Sequence, residues 1–185
     1  ANMSHELRTP LNSIIGFSRV ILKGIDGPIN DIQRQDLSSI YNSGQHLLGL
    51  INDILDLSRI EAGKMELSFE PVYLPDIFEG VLATTRGLIK DKPIEIVRDY
   101  PAGLPAVRGD STRLRQVLLN LLSNAAKFTE VGQITLAARA APDFGGRPAV
   151  EIRVSDTGQG IPPADMPKLF ERFSQVDGSP TRKVG

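Results

Sequence analysis

Leu37-Ser38-Ser39-Ile40-Tyr41-Asn42-Ser43-Gly44-Gln45-His46-Leu47-Leu48 sets the architecture of the first third of this chain. Leu37, Tyr41, Gly44 and Leu48 follow one another by steps of four, three and four, and Ile51, Leu55 and Ser58 continue the row. Such a row is one face of a helix, and it predicts a helix from Asp31 to about Ile60. Ile40, Leu47 and Ile54 form a second stripe beside the first. Upstream, Met3, Leu7, Leu11, Ile14, Ile15, Val20 and Ile21 recur at helical spacing and predict a helix from Met3 to about Lys23. Gly24-Ile25-Asp26-Gly27-Pro28 breaks the two apart. One stripe of the long helix can pack on the first helix, and the other needs a further partner. A hairpin that is apolar on both sides cannot bury itself. The expected solution is a homodimer through residues 1–66 that forms a four-helix bundle. The rival is that residues 72–185 cover the second stripe.

Past Gly63-Lys64 the texture changes. Residues 67–71 read as a linker, with the stretch from Glu66 to Pro71 as the natural hinge. From Val72 onward helices and strands interleave. Residues 75–90 read as a helix and Ile94-Glu95-Ile96-Val97 as a strand. Asp110 or Ser111 caps a helix that runs to about Phe128. Gln133 to Ala140 and Ala149 to Ser155 alternate like strands and pair as a hairpin across Pro142-Asp143-Phe144-Gly145-Gly146. A last short helix spans about Ala164 to Phe173. The expected fold is therefore α + α/β: a two-helix hairpin dimerising into a four-helix bundle, then an α/β sandwich with helices on one face of a mixed sheet.

Composition narrows the functional classes. A chain of 185 residues with 41% hydrophobic and 23% charged residues is globular, with room for one ordinary domain or two small ones. A net charge of -1 offers no basic field for nucleic acid or an anionic membrane. The absence of Cys excludes disulfides and thiolate metal sites. No apolar run approaches the roughly 20 residues that span a bilayer. The chain starts inside a helical pattern and stops at Val184-Gly185 with no ending signal, so it reads as a piece of a longer protein.

Two constellations carry chemistry. The first is Ser4-His5-Glu6-Leu7-Arg8-Thr9-Pro10-Leu11-Asn12. An imidazole of ordinary pKa is mostly neutral at pH 7 and keeps a lone pair that can attack phosphorus. On a helix His5, Arg8 and Thr9 share a face, which places Arg8 to offset phosphate charge. Glu6 projects about 100° away. It reaches the ring only if the helix bends, and Pro10 supplies a reason for a bend. Glu6 would then take the proton from one ring nitrogen and leave the other nucleophilic.

The second constellation lies on residues 111–128. Leu114, Val117, Leu118, Leu121, Leu122, Ala125 and Phe128 are apolar, and a polar line of Arg113, Asn120, Asn124 and Lys127 is set among them. Asn is a poor helix former. Two of them four apart can present amide oxygens to a hard cation such as Mg²⁺, which bridges phosphates. Lys127 would approach those phosphates. In Val150-Glu151-Ile152-Arg153-Val154-Ser155-Asp156 the even positions are apolar, and parity predicts that Asp156 points inward where the strand ends. A buried carboxylate needs a donor, and the exocyclic amine of adenine is one. Gly158 and Gly160 would let backbone approach a ligand closely. The fingerprints of dinucleotide sites and P-loops are absent. Phe170 and Phe173 would seat a flap over the site or anchor the last helix.

Together these residues resemble the catalytic core of a sensor histidine kinase of the two-component type, over nearly the whole chain. Ser4 to Pro10 resembles the H box of that family. Asn120-Leu121-Leu122-Ser123-Asn124-Ala125-Ala126-Lys127-Phe128 resembles its N box, Asp156-Thr157-Gly158-Gln159-Gly160-Ile161 its first Gly box, and Leu169-Phe170-Glu171-Arg172-Phe173 its F box. The resemblance implies a dimerisation and histidine-phosphotransfer domain over 1–66. It implies an ATP-binding domain over 72–185, of the fold shared with gyrase-type and chaperone-type ATPases. It makes His5 the phosphoacceptor and Glu6 its acid–base partner. Thr9 matches the position that orients water when such proteins dephosphorylate their partner. Asn124 matches the Mg²⁺ ligand, with Asn120 beside it, Lys127 on the phosphates and Asp156 on adenine. The implied cofactors are ATP and Mg²⁺. The implied partners are a second copy and a response-regulator receiver domain that docks on the hairpin. The implied location is the cytoplasm, with a membrane reached only through segments upstream. Members of the family continue with a second Gly box of the form G-T-G-L-G-L, and the chain reaches Gly185 where that box begins. The ATP-binding domain is therefore expected to be incomplete at its C-terminus, without its last strand, and weak in binding and transfer. Two rivals belong to other classes. One is an ATPase without phosphotransfer, against which stands Asn120 where that family usually has Glu. The other is a non-catalytic dimeric interaction module, against which stands the His5-Glu6 pair.

Overall fold

A computed structural model describes residues 2–141 and 146–167, with side chains from Glu6 onward. The chain divides into two compact units, Ala1–Glu66 and Leu67–Gly185. The first unit is a helical hairpin of α1 (Asn2–Leu22) and α2 (Asp31–Glu61). Helix α1 continues through Pro10. Helix α2 opens on a capping box: the Asn30 side chain accepts from Gln33 N (2.8 Å), and the Gln33 side chain accepts from Asn30 N (3.0 Å). Leu11, Ile15 and Ser18 of α1 are buried, as is Gly44 of α2. A Cβ at Gly44 would stand 2.9 Å from Ile15 Cγ1, so the missing side chain is what lets the helices close. The row Leu37, Tyr41, Leu48, Ile51 and Leu55 is half-buried on this seam. Within the hairpin the second stripe finds no cover: Ile40, Leu47 and Ile54 are 46%, 49% and 51% exposed. Leu7, Ile14 and Phe17 of α1 are exposed as well.

The second unit orders as β1 (Glu70–Val72), α3 (Leu74–Leu88), β2 (Ile94–Asp99), β3 (Val107–Gly109), α4 (Ser111–Phe128), β4 (Gly132–Ala141) and β5 (Ala149–Asp156). Among the described residues the main sheet runs β2-β4-β5. Strand β2 is parallel to β4, and β4 is antiparallel to β5. Ile134, Leu136 and Ala138 line the buried face of β4. Against them pack Ile77, Phe78, Val81 and Leu82 of α3 and Leu118, Leu122, Ala125 and Ala126 of α4. The helices thus cover one face of a mixed sheet.

Two elements differ from expectation. β1 and β3, three residues each, pair antiparallel with Val72 opposite Val107. Residues 70 and 71 therefore belong to a strand, where a linker was expected. Ser68 N also donates to Asp110 Oδ2 (3.1 Å), so the chain is tied to the second unit from residue 68 onward. The same Asp110 caps α4, its Oδ1 accepting from Arg113 N (3.0 Å). The hydrogen bonds from Arg113 N and Ser68 N hold the Asp110 carboxyl below the usual aspartate range. The sign follows from linkage: this stabilisation is complete above the ordinary carboxyl pKa of about 4 and is lost as pH falls through the lower folded value.

A groove of about 780 Å³ lies between β3 and β5, lined by Phe69, Val107, Arg108, Leu114, Val150 and Ile152 among others. None of the described residues singled out for chemistry lines it. The helix expected over about 164–173 and the pair Phe170 and Phe173 fall largely outside the described residues, as do positions 142–145 of the hairpin connection.

Candidate functional site

Helix α4 positions three of the candidate residues. Its core side is Leu118, Leu122, Ala125 and Ala126. The opposite side carries Asn120, Asn124 and Lys127, all exposed, beside Val117 (56% exposed) and Leu121 (47%). Sequence periodicity counted Val117 and Leu121 with the apolar side of the helix. They lie instead at its margin, where they give the polar line an apolar border. An apolar border beside amide and ammonium groups is the kind of surface that could take a planar apolar group next to an anionic one. Lys127 Nζ sits 4.7 Å from the centroid of the Phe128 ring, at the last turn of the helix.

The loop after β5 meets that last turn. The Asp156 side chain accepts from Gly158 N (2.8 Å). A Cβ on Gly158 would lie 2.5 Å from Phe128 O, so this glycine is used for close approach to the end of α4. The neighbour that a side chain at Gly158 would meet is thus protein backbone. Gly160 adopts φ 71°, and Ile161 is exposed. Thr157 fastens the loop to the start of β4: Thr157 N donates to Gln133 O (3.1 Å), and Gln133 N donates to Thr157 Oγ1 (2.9 Å). Gly132 makes room for that hydroxyl, with φ 121° and a Cβ position occupied by Thr157 Oγ1.

Asp156 corrects the reading of its strand. Its register partner is Ile134, so the carboxylate is on the helix-covered side of the sheet, as parity requires. It is nevertheless exposed. The reason is depth: Asp156 stands at the rim of the helix layer, where α4 ends at Phe128. An acceptor at that rim can still receive a hydrogen bond from an amine, but burial does not force it to find one.

The donor set fits a magnesium nucleotide. Among the described residues no group of three or more His, Asp or Glu could hold a metal. Asn124 offers a hard amide oxygen, with Asn120 one turn before it. Mg²⁺ commonly takes one or two protein oxygens and completes its shell with phosphates and water.

In the first unit Glu6, Arg8 and Thr9 are exposed on α1. Arg8 Nη2 donates to Asn52 Oδ1 of α2 (2.9 Å), so the guanidinium bridges the hairpin. The helix carries His5, whose side chain is outside the described residues. One residue of the second unit was missed altogether: Lys92, whose Nζ donates to Thr129 O (2.9 Å) and Ala126 O (3.0 Å) at the end of α4. Its acceptors are backbone carbonyls, which leave no mark in a sequence.

Comparison with known proteins gives a family match for each of the two regions. Residues 1–63 match the family described as His Kinase A (phospho-acceptor) domain. Residues 109–185 match the family of histidine kinase-, DNA gyrase B-, and HSP90-like ATPases. The non-motile and phage-resistance protein of Caulobacter vibrioides is 46% identical over 180 residues, covering 96% of this chain and 21% of that protein. The circadian input-output histidine kinase CikA of Synechococcus elongatus is 44% identical over 187 residues, covering the whole chain and 24% of that protein. The chain thus spans about a quarter or less of these relatives. Among solved structures, full-length ShkA in complex with AMPPNP superimposes with a TM-score of 0.77 at 39% identity, over 96% of this chain and 37% of that one. No helix among the described residues is long and apolar enough to cross a membrane.

Proposed function

Because this chain belongs to the sensor histidine kinases of two-component systems, we propose that it phosphorylates its own His5 from Mg·ATP and passes the phosphoryl group to a response-regulator aspartate. The observation that carries the reading is the open face of α4. Asn120, Asn124 and Lys127 stand there in line, and the Asp156–Gly158 loop is seated on the same helix end. Asp156 would take the adenine amine, Lys127 the phosphates, and Asn124 the metal with Asn120 beside it. Gly160 and Ile161 continue the loop around the base. Magnesium, when bound, neutralises charge on the phosphates.

The reacting bond is simple. A ring nitrogen of His5 attacks the γ-phosphorus, an N–P bond forms, and the bond to the β,γ-bridging oxygen breaks. ADP leaves with that electron pair. Glu6 would take the proton from the other ring nitrogen as the N–P bond forms, leaving the phosphorylated imidazole neutral. Arg8 adds positive charge near the phosphoryl group. In the second transfer the N–P bond breaks as a carboxylate oxygen of the partner takes the phosphorus. Thr9 would orient water when the partner is dephosphorylated. The protein's contribution is mostly position and charge. Incubation with γ-labelled ATP tests the reading. Label should enter the protein in an acid-labile, base-stable form. Steady ATP hydrolysis without labelled protein would favour the ATPase rival, although Asn120 holds no carboxylate to activate water.

The exposed stripe Ile40, Leu47 and Ile54 supports dimerisation through the hairpin. Leu47→Lys puts a charge in that stripe and leaves the seam at Gly44 untouched. Sedimentation equilibrium should show this variant as a monomer where the parent chain is a dimer. A variant that still dimerises would place the interface elsewhere.

A further inference from the structure

An α-helix leaves its last four carbonyls without partners in its own ladder. In α4 these are Ala125 to Phe128, and the first three accept from donors outside the helix ladder's interior. Thr129 N donates to Ala125 O (3.0 Å). Lys92 Nζ donates to Ala126 O (3.0 Å) and Thr129 O (2.9 Å), reaches Lys127 O at 3.5 Å, and pairs with Glu130 at 3.4 Å. Phe128 O is the atom against which Gly158 packs. One ammonium therefore gathers most of the helix end, where the dipole favours positive charge. Its own backbone is fixed on both sides: Lys92 N donates to Ile89 O (2.9 Å), and Ile94 N donates to Lys92 O (2.8 Å). The next carbonyl, Pro93 O, accepts from Gly132 N (3.1 Å) at the start of β4. Lys92 thus stands where the ends of α4, β2 and β4 converge, and the Asp156–Gly158 loop is seated on the same turn.

Taking the nucleotide site as read above, we propose that Lys92 is a positioning residue for it. Its ammonium holds the last turn of α4, and with it Lys127 and the seat of the Asp156–Gly158 loop, in the geometry that receives the nucleotide. It touches neither base nor phosphate. Losing it lets the helix end fray, and the loop that leans on Phe128 O shifts with it.

Lys92→Met keeps the length of the stem and removes the donors. In the full protein this variant should bind Mg·ADP about fivefold or more weakly by calorimetry. Amide exchange at Thr129 and Gly158 should quicken at the same time. Lys92→Arg, which restores a charged donor, should recover a good part of both. Arg98→Met is the control. It removes the ion pair with Glu79 at the far end of β2 and should lower the melting temperature while leaving Mg·ADP affinity unchanged. Unchanged affinity in Lys92→Met overturns the inference. So does an affinity loss in Arg98→Met that matches its loss of stability, because then any weakening of the unit would suffice. If the parent protein binds no Mg·ADP, the nucleotide reading itself falls. The exchange measurement still judges Lys92 in that case, and unchanged protection at Thr129 and Gly158 rejects its hold on the junction.

Discussion

His5→Gln is expected to reduce phosphate incorporation from γ-labelled ATP to background, a loss of about a hundredfold or more. Gln keeps polarity and approximate size but has no nitrogen lone pair able to attack phosphorus. The amide nitrogen is conjugated with its carbonyl, whereas imidazole has a free in-plane pair on one nitrogen. Binding of Mg·ADP should survive the change. The groups assigned to the nucleotide lie on α4 and the loop after β5, in a unit that does not include residue 5. The pair of measurements separates chemistry from binding. Loss of label with retained nucleotide affinity places the nucleophile at residue 5. Label that persists in His5→Gln rejects that role and directs attention to another acceptor, of which His46 on the exposed surface of α2 is the obvious one to map.

What could be read from sequence depended on whether a local period encoded the answer. The seam of the hairpin was legible because helix packing repeats every three or four residues, and Leu37, Tyr41, Gly44 and Leu48 keep that beat. The strands β2, β4 and β5 were legible for the same reason, and so was a cap at Asp110 or Ser111, of which the structure uses Asp110, since alternation and capping are short-range. β1 and β3 were not. Each has three residues, β1 contains Pro71 and β3 ends on Gly109, and each is a strand because its partner lies far along the chain. Asp156 shows another limit. Alternation fixed the side of the sheet to which the carboxylate points, and that was right. It carried no information on how far the helix layer extends over that side. Lys92 marks the last limit. A cation that serves backbone carbonyls thirty-odd residues away has no complementary side chain to announce it, so only the fold reveals what it does.

Gly158→Ala should be the most damaging small substitution in the nucleotide unit. The added Cβ would stand 2.5 Å from Phe128 O and 2.7 Å from Asp156 Oδ1. A flexible side chain could turn away from such a contact, but a helix carbonyl cannot. The loop or the end of α4 must therefore move, at a cost of about 1–3 kcal/mol for overpacking of this kind. The displacement falls on the group proposed to read adenine, because Asp156 Oδ1 is held by the backbone amide of the same glycine. Mg·ADP affinity should fall about tenfold or more, since an acceptor misplaced by a fraction of an ångström loses most of a directional hydrogen bond. Gly160→Ala provides the contrast. Among the described residues no atom lies within 4 Å of the Gly160 Cβ position, and its positive φ asks only for the left-handed strain of a non-glycine residue, roughly 1–2 kcal/mol. Its loss of affinity should be the smaller of the two, because only backbone strain, and no clash with the end of α4, displaces the loop. If Gly158→Ala binds Mg·ADP as the parent does, the loop seated on Phe128 is not part of the nucleotide site, and the assignment of Asp156 to the base fails with it.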